Sequence, residues 1–202
     1  DCTFIAPPIA VLLAKHPAVE SYDLSSLRAI QSGAAPLDRE LAIAVQQRLS
    51  VDIYQGFGMT ETSPVTHNSL VNVTPLESVG APLPNTEIKI VDISKDDLPE
   101  IPAPTQSGER SAVGEMWVRG PQVMKGYLNN EEATARTLLP DGWLRTGDMV
   151  AVDSEGNCYV VDRAKELIKY KGYQVPPAEL EALLLTRDDI SDAAVVGYVR
   201  EG

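Results

Sequence analysis

Residues 54–64, YQGFGMTETSP, carry side chains that could hold a phosphate at the end of an apparent strand. Gly56 and Gly58 let a ligand approach the backbone where a Cβ would clash. Thr60 offers a hydroxyl to a phosphate oxygen, and Glu61 offers the hard oxygen that Mg²⁺ prefers. The same pattern also fits a glycine turn that closes a strand beside a solvated Glu61.

A second candidate is Asp148, which follows a glycine at the end of GWLRTGD, residues 142–148. A carboxylate in this position can accept hydrogen bonds from both hydroxyls of a ribose, as acidic residues do in dinucleotide-binding folds. An Asp after a Gly is also an ordinary turn residue, so this segment alone leaves both interpretations open.

Basic residues cluster in DRAKELIKYKGYQV, residues 162–175, although the chain is acidic overall. Arg163, Lys165, Lys169 and Lys171 place four of the 17 basic residues within nine positions. If residues 167–170 are extended, Lys169 and Lys171 share one face roughly 6–7 Å apart, which suits a phosphate-bearing ligand. The alternative is a lysine-rich edge strand that protects an exposed sheet edge.

The elements before residue 75 alternate between helix and strand. Residues 9–16 follow two prolines and predict a short helix, and residues 27–32 predict a strand. Pro36 is expected to open a helix whose apolar positions 41, 45 and 49 recur at i, i+4 and i+8. Residues 51–57 predict the next strand, so this part has the order of an α/β layer.

Residues 76–162 have the pattern of an antiparallel β unit. Residues 87–91 and 115–119 alternate as strands do, and the DSEGN turn at 153–157 joins two apolar runs as a hairpin. One short helix is predicted at 131–138 with Asn130 as its cap. Residues 96–111 are predicted to form a surface loop.

From residue 163 the pattern predicts the beginning of a third unit. It comprises a strand at 166–173, a helix opened by Pro176 and Pro177, and a strand at 193–199. The predicted fold class is therefore α/β plus β, with units at 1–75, 76–162 and 163–202. The last unit is expected to be the start of a small α+β lobe.

Composition excludes several classes of function. The net charge of −12 disfavours nucleic acid as a partner. The longest apolar run, residues 2–14, contains two prolines and is shorter than the ~20 residues that span a bilayer, so no transmembrane segment is predicted. Cys2, Cys158, His16 and His67 are too scattered to form a zinc site. We expect a cytoplasmic protein, with a peroxisomal signal possible beyond Gly202.

Five segments in order resemble the core motifs of the adenylate-forming, or AMP-binding, superfamily. The segments are SGAAPL, YQGFGMTE, GEMWVRGPQVMKGYL, GWLRTGD and DRAKELIKYKGYQV. The last one, with the VPPAELE that follows it, is more similar to the 4-coumarate–CoA ligase and luciferase branch than to peptide-synthetase domains. The resemblance implies an acid–thiol ligase that uses ATP and Mg²⁺ to form an acyl adenylate, and CoA to form a thioester. Its organic substrate would be a small carboxylic acid.

The resemblance also implies which residues bind the nucleotide. They are Gly33, Ala34, Ala35, Gln55, Gly56, Phe57, Gly58, Thr60, Asp148, Arg163, Lys171 and Gly172. Within this set the backbone of residues 33–35 would line the adenine, and Phe57 would stack on it in place of the usual Tyr. Thr60 would bind the α-phosphate, and Asp148 and Arg163 would bind the ribose.

Further roles follow from the same resemblance. The catalytic set would be Lys169, Gln174 and Thr60, with Glu61 as the Mg²⁺ ligand. Lys171 and Gly172 would move to the side where the thiol enters, and Lys165 would be the hinge between the lobes. One wall of the acyl pocket would comprise Gly58, Pro64 and Val65.

The sequence departs from the family pattern in two places. It has no Ser/Thr/Gly-rich phosphate loop ending in lysine, and the C-terminal catalytic lysine of the family is absent. We therefore expect a piece cut from a longer enzyme that cannot complete a turnover alone. The alternatives are an amino-acid-activating adenylation domain, a luciferase-like enzyme, or a non-catalytic binding module that keeps the fold.

Overall fold

A computed structural model describes residues 1–170, 173–185, 187, 189–190 and 193–198, without the side chains of residues 169, 170, 173, 174 and 182. The architecture is mixed α/β with two five-stranded sheets and a short hairpin, which confirms the predicted fold class. The boundaries predicted for the three units stay a prediction. None of the helices in the described part is long and apolar enough to cross a membrane.

The first sheet has the strand order β1-β2-β3-β4-β5. Its first three strands are parallel, and the last two add antiparallel. The strands are β1 (Cys2–Ile5), β2 (Ala29–Ser32), β3 (Asp52–Gly58), β4 (Val65–Asn68) and β5 (Ala81–Pro82). The crossovers between the parallel strands contain α1 (Pro7–Lys15) and α2 (Arg39–Leu49). Ala10, Ile30, Ala42 and Val45 are fully buried between these helices and the sheet.

Helix α2 begins later than the sequence predicts. The side chain of Asp38 accepts a hydrogen bond from the backbone N–H of Leu41 at 2.9 Å and so caps the helix after Pro36. Ser50 then ends the helix in the left-handed conformation. Apolar residues still recur along the buried face, as the periodicity predicts, because Val45 and its neighbours one turn away pack on the sheet.

The second sheet is antiparallel and has the order β10-β9-β8-β6-β7. Its strands are β6 (Glu87–Val91), β7 (Glu100–Ile101), β8 (Gly114–Arg119), β9 (Leu144–Val152) and β10 (Cys158–Arg163), and α3 (Glu131–Thr137) precedes β9. Asn130 caps α3, as predicted, by accepting from Ala133 N–H. Residues 96–111 are not loop throughout, because β7 pairs with β6 inside this segment.

The two sheets are joined through the middle of the chain. The backbones of Gly80 and Cys158 pair, with Cys158 N–H donating to the Gly80 carbonyl at 2.9 Å. Phe57 at the end of β3 packs against the core of the second sheet, which contains Met116, Val118 and Val150. The glycine-rich end of β3 is therefore held against the sheet that carries Asp148.

The C-terminal part contains a hairpin and a helix. Strand β11 (Ile168–Tyr170) pairs with β12 (Tyr173–Val175), and α4 (Pro177–Leu185) follows. The single strand predicted at 166–173 is wrong, since Glu166 lies in a turn and residues 168–170 pair antiparallel with residues 173–175. The helix opened by prolines is confirmed. The described residues 193–198 form no strand, which contradicts the prediction for 193–199, while Val199 lies outside the described residues.

Candidate active site

Asp148 and Arg163, the two residues predicted to bind ribose, lie side by side on neighbouring strands. A β-bulge in β10 between Val160 and Asp162 shifts the register, so that Arg163 rather than Asp162 faces Asp148. The Arg163 Nε lies 3.5 Å from the Asp148 Oδ1. Asp148 is 6% exposed, whereas the Arg163 side chain is mostly exposed. The pair presents an acceptor and a cation at the surface of the sheet.

Burial raises the pKa of Asp148 to about 6 from an ordinary value of 3.8. Arg163 opposes this shift through its charge and a hydrogen bond, while the charges of Glu166 and Glu115 add to it. The carboxylate is ionised at neutral pH but poorly solvated, so a ligand that donates hydrogen bonds to it would replace water it lacks.

This pKa predicts how the stability of the fold depends on pH. The folded-state pKa of Asp148 is raised, so protonation favours folding, and this contribution is complete below 3.8 and lost as the pH rises through about 6. Asp148→Asn cannot ionise. We therefore expect it to unfold at a higher urea concentration than the wild type at pH 7.5, with the difference shrinking toward pH 4. The measurement is urea unfolding at several pH values, with Asp52→Asn as control, because Asp52 is exposed at the start of β3. A wild type more stable than Asp148→Asn at pH 7.5 contradicts the assignment.

Thr60 and Glu61 lie in a single 3-10 turn, Thr60–Thr62, directly after β3. Glu61 accepts a hydrogen bond from the Tyr127 hydroxyl at 2.6 Å, and its backbone carbonyl accepts from Met124 N–H at 2.8 Å. The hydrogen bond from the Tyr127 hydroxyl to the Glu61 carboxylate is the main cause of the raised pKa of Tyr127. The Thr60 hydroxyl is exposed and has no hydrogen-bond partner within the described part of the chain. The turn thus leaves a free hydroxyl beside a half-buried carboxylate.

Gly58, Pro64 and Val65, predicted to form one wall of an acyl pocket, lie in direct contact. Gly58 of β3 pairs with Val65 of β4. A Cβ on Gly58 would lie 1.8 Å from the Pro64 carbonyl oxygen and 2.7 Å from the Val65 Cα. Only glycine therefore allows β4 to return so close to β3.

We expect Gly58→Ala to lower the free energy of unfolding by about 3 kcal/mol, since the new methyl meets backbone atoms that cannot rotate away. Urea denaturation measures this loss. Gly33→Ala is the matched control, because its Cβ would meet no atom closer than the Gly56 carbonyl oxygen at 3.9 Å. Equal stability of Gly58→Ala and wild type would mean that the β3–β4 contact is looser than described.

Gln55 supports the loop at residues 33–37 with its side chain. Its Oε1 accepts from Leu37 N–H at 2.9 Å, and its Nε2 donates to the Leu37 carbonyl at 3.0 Å and to the Leu76 carbonyl. Gln55 is 3% exposed, and all three of these bonds lie inside the protein. Its place in the nucleotide site stays a prediction. Ala34, in the left-handed conformation, and Ala35 are exposed on this loop, and Gly33 N–H donates to Ile5.

Phe57 contacts His67, a residue to which the sequence analysis gave no role. The two rings meet edge to face, with centroids 5.9 Å apart and an interplanar angle of 73°. His67 is fully buried, and burial lowers its pKa to about 4, so the ring is neutral at pH 7. Phe57 is half-buried between the sheets, and Gly56 beside it is covered by the Gln31 amide. The stacking role of Phe57 on adenine stays a prediction.

Residues 1–128 match the family model described as AMP-binding enzyme. The chain belongs to this family. Its sequence is 48% identical over 201 residues to 4-coumarate–CoA ligase 1 of Solanum tuberosum, covering 96% of this chain and 35% of that protein. It is 47% identical over 203 residues to 4-coumarate–CoA ligase 1 of Arabidopsis thaliana, covering 98% and 35%. The chain therefore spans about a third of the length of these relatives.

Solved structures of related enzymes superimpose on most of the chain. The anthranilate–CoA ligase AuaEII in complex with anthranoyl-AMP matches with a TM-score of 0.82 and 30% identity, over 96% of this chain and 36% of that one. The o-succinylbenzoate–CoA synthetase of Bacillus subtilis in complex with AMP matches with a TM-score of 0.77 and 31% identity, over 99% and 39%. One of these structures contains an acyl-AMP and the other contains AMP. The AMP-binding assignment made from the five motifs is confirmed.

The remaining predicted site residues of this AMP-binding chain lie after β10. Lys165, the predicted hinge, is exposed in the turn that leads to β11. Lys169 and Gln174 are register partners across the hairpin of β11 and β12, although their side chains are not described. Lys171 and Gly172 lie outside the described residues. No hydrogen bond or ion pair between described residues joins the 3-10 turn Thr60–Thr62 to Asp148 or Arg163.

Sequence reasoning missed two polar residues, of which one contacts a predicted site residue and the other contacts the neighbour of one. Tyr127 donates to Glu61, and Glu115 accepts from the backbone N–H of Gly147, next to Asp148. Both lie in the segment GEMWVRGPQVMKGYL, which was used only for the resemblance. The sequence did contain a signal for Glu115. This residue lies two positions before Trp117, so both side chains are on one face of the strand, and a carboxylate on a buried face needs a partner.

Proposed function

We propose that the natural protein containing this sequence is an acid–thiol ligase that activates a carboxylic acid with ATP and transfers the acyl group to CoA. The observation that carries the proposal is the contact between Asp148 and Arg163 at 3.5 Å, in a chain of the AMP-binding family. A buried carboxylate beside an exposed guanidinium suits a ribose diol next to a phosphate. Relatives named as acid–CoA ligases support the same conclusion.

In the first half-reaction an oxygen of the substrate carboxylate attacks the α-phosphorus of ATP. The bond from that phosphorus to the bridging oxygen breaks, and pyrophosphate leaves. Both reactants are anions, so charge must be neutralised as it accumulates. In this proposal the hydroxyl of Thr60 donates to an α-phosphate oxygen, and Asp148 and Arg163 bind the ribose and so orient this phosphate.

In the second half-reaction the CoA sulfur attacks the acyl carbon of the adenylate. AMP leaves with the electron pair of the carbon–oxygen bond, and the thiol proton is released to solvent. Lys165 lies at the turn where a rotation of the small lobe would exchange the two half-reactions. In this proposal Lys169 and Gln174 take part in catalysis, and Lys171 and Gly172 move to the side where the thiol enters for the second half-reaction.

The residues present fit a Mg²⁺ ion that travels with ATP. Glu61 accepts only one hydrogen bond, on Oε1 from Tyr127, and Oε2 has no partner within the described part of the chain. No group of three or more His, Cys, Asp or Glu side chains that could hold a metal occurs there either. One carboxylate plus substrate phosphates is a common way to bind Mg²⁺. When bound, the ion supplies positive charge to the phosphate oxygens.

We infer that the acid is aromatic. The relatives carry the names of 4-coumarate, anthranilate and o-succinylbenzoate ligases. Gly58 lets Pro64 and Val65 pack directly against the end of β3, and these two apolar side chains are exposed there. Such a surface suits the face of a planar ring.

The test is ATP–pyrophosphate exchange by the natural protein with a panel of 4-coumarate, anthranilate, o-succinylbenzoate, octanoate and the proteinogenic amino acids. We expect exchange with one or more of the aromatic acids and, after addition of CoA, an acyl-CoA of matching mass. Exchange with an amino acid alone would favour an amino-acid-activating domain. Nucleotide binding without any exchange would favour a non-catalytic module, and either result overturns the proposal.

A further inference from the structure

Glu115 is a buried carboxylate to which the reaction as described gives no role. It lies on β8, is 3% exposed, and receives hydrogen bonds on both oxygens. Gly147 N–H donates to Oε1 at 3.1 Å. The Trp117 indole N–H donates to Oε2 at 2.9 Å, and Arg145 donates to the same oxygen at 3.1 Å. A buried carboxylate whose two oxygens both accept hydrogen bonds is held rigidly and fixes the position of its donors.

The backbone that Glu115 touches is the turn of β9 that carries Asp148. Pairing between β8 and β9 shifts register between Glu115 and Trp117, so the ladder is interrupted beside Gly147. Gly147 has a φ of +75° and no atom within 4 Å of a Cβ position, so side-chain packing does not hold it. Its N–H needs a partner at this interruption, and Glu115 provides it.

The other end of the same turn is fixed separately. Thr146 donates its hydroxyl to the Met116 carbonyl at 2.7 Å and accepts from Asp148 N–H at 3.0 Å. Ala164 N–H donates to the Gly147 carbonyl at 2.8 Å. Glu115 is therefore the one side chain that holds the Gly147 N–H, and Asp148 follows in the next position.

Cations and aromatic rings hold the far side of Glu115. Lys89 lies 4.7 Å from the Trp117 ring centroid and 4.5 Å from that of Trp143. Arg145 lies 5.5 Å from the Trp117 ring and also bonds Glu115. These contacts lock the Trp117 indole, so the Glu115 carboxylate cannot turn away from Gly147 without losing two charged or polar donors.

We propose that Glu115 is a positioning residue for nucleotide recognition, holding Gly147 so that the Asp148 carboxylate faces the ribose diol. This inference rests on the proposed function, in which Asp148 accepts from the ribose. Glu115 does not contact the nucleotide. It acts through one backbone hydrogen bond, and a small displacement of a binding group is enough to weaken recognition.

The decisive variant is Glu115→Gln, which keeps the size of the side chain. An amide has an acceptor at one end only. Since Arg145 is always charged, the amide oxygen will turn to Arg145 and Trp117, and the NH₂ will face the Gly147 N–H as donor against donor. We expect the affinity for ATP to fall about tenfold, as a change in KM with little change in kcat.

A second readout separates positioning from general stability. The wild type is expected to bind ATP more tightly than 2′-deoxy-ATP, because Asp148 accepts from the 2′-hydroxyl. In Glu115→Gln this ratio should shrink toward one. Trp117→Phe, which removes one donor from Oε2 and leaves Gly147 bonded, should keep the ratio and change the affinity less than about threefold. Val118→Ala is the control for stability. It shortens a core side chain on the same strand and lowers the melting temperature, but it does not contact the turn at Gly147.

Two outcomes overturn the inference while the proposed function stands. One is an unchanged ratio of ATP to 2′-deoxy-ATP affinity in Glu115→Gln. The other is a ratio that shrinks equally in Val118→Ala, when this variant and Glu115→Gln have the same melting temperature. If the wild type binds neither nucleotide, the proposed function itself fails, and the experiment distinguishes this from a failure of the positioning role.

Discussion

Asp148→Asn is expected to lower kcat/KM for ATP roughly 100-fold in the natural protein, because two hydrogen bonds to a charged acceptor contribute roughly 1.5 kcal/mol each. The asparagine keeps the volume and one acceptor oxygen. It loses the negative charge that attracts Arg163 and strengthens the hydrogen bonds from the ribose hydroxyls. The expected change lies mainly in KM and in the affinity for AMP. Steady-state kinetics and calorimetric titration with AMP measure both.

Asp153→Asn is the matched control for this substitution. Asp153 is also 6% exposed and lies at the turn of the same hairpin, where it accepts from the Asn157 backbone and the Tyr159 hydroxyl. Its loss should cost stability and leave KM for ATP unchanged, whereas Asp148→Asn should be at least as stable as the wild type near neutral pH and lose affinity. If both variants lose affinity in proportion to their melting temperatures, Asp148 has a structural role only.

Glu61→Gln is expected to raise the Mg²⁺ concentration needed for half-maximal adenylation and to lower the maximal rate roughly 100-fold, since a bound cation contributes several kcal/mol of charge stabilisation. The substitution removes the negative charge of the Glu61 side chain. The hydrogen bond from Met124 N–H to the Glu61 backbone carbonyl remains, so the turn stays folded. Pyrophosphate release at varied Mg²⁺ measures the effect. Binding of Mn²⁺ in the presence of ATP, followed by electron paramagnetic resonance, gives a readout independent of turnover.

Tyr127→Phe separates the cation from the hydrogen bond. This variant removes the hydroxyl that donates to Glu61 Oε1 at 2.6 Å, together with its bond to Thr137, and leaves the carboxylate in place. We expect a change of less than about threefold in rate. A Mg²⁺ dependence in Glu61→Gln identical to that of wild type would show that Glu61 serves the Tyr127 contact rather than a cation.

Much of the fold follows from local pattern. Alternation along β6 and β8, the turn residues at 153–157 and the i, i+4 spacing in α2 each reflect an interaction between near neighbours, so they are visible in one dimension. Errors arose where distant residues decided the outcome. Strand β7 forms because Ile101 pairs with Ile90, and the predicted strand at 166–173 divides because β12 returns on β11.

The candidate site divides in the same way. The sequence indicated Thr60, Glu61, Asp148 and Arg163 as residues whose chemistry suits a nucleotide. It could not indicate that Gln55 bonds to the loop at Leu37, because these partners are 18 positions apart and their contact depends on how β3 lies against that loop. Glu115 and Gly147 are 32 positions apart and meet only through the register of two strands.

Residue type and order alone determined the family, the acidic character and the chemical groups available to a ligand, because these depend only on what the chain contains. Tertiary structure decided which groups meet. An unbroken hairpin from the turn at 153–157 would place Asp148 opposite Asp162, two carboxylates that repel. One extra residue in β10 moves Arg163 into that place instead, since a bulge shifts every pairing beyond it by one position.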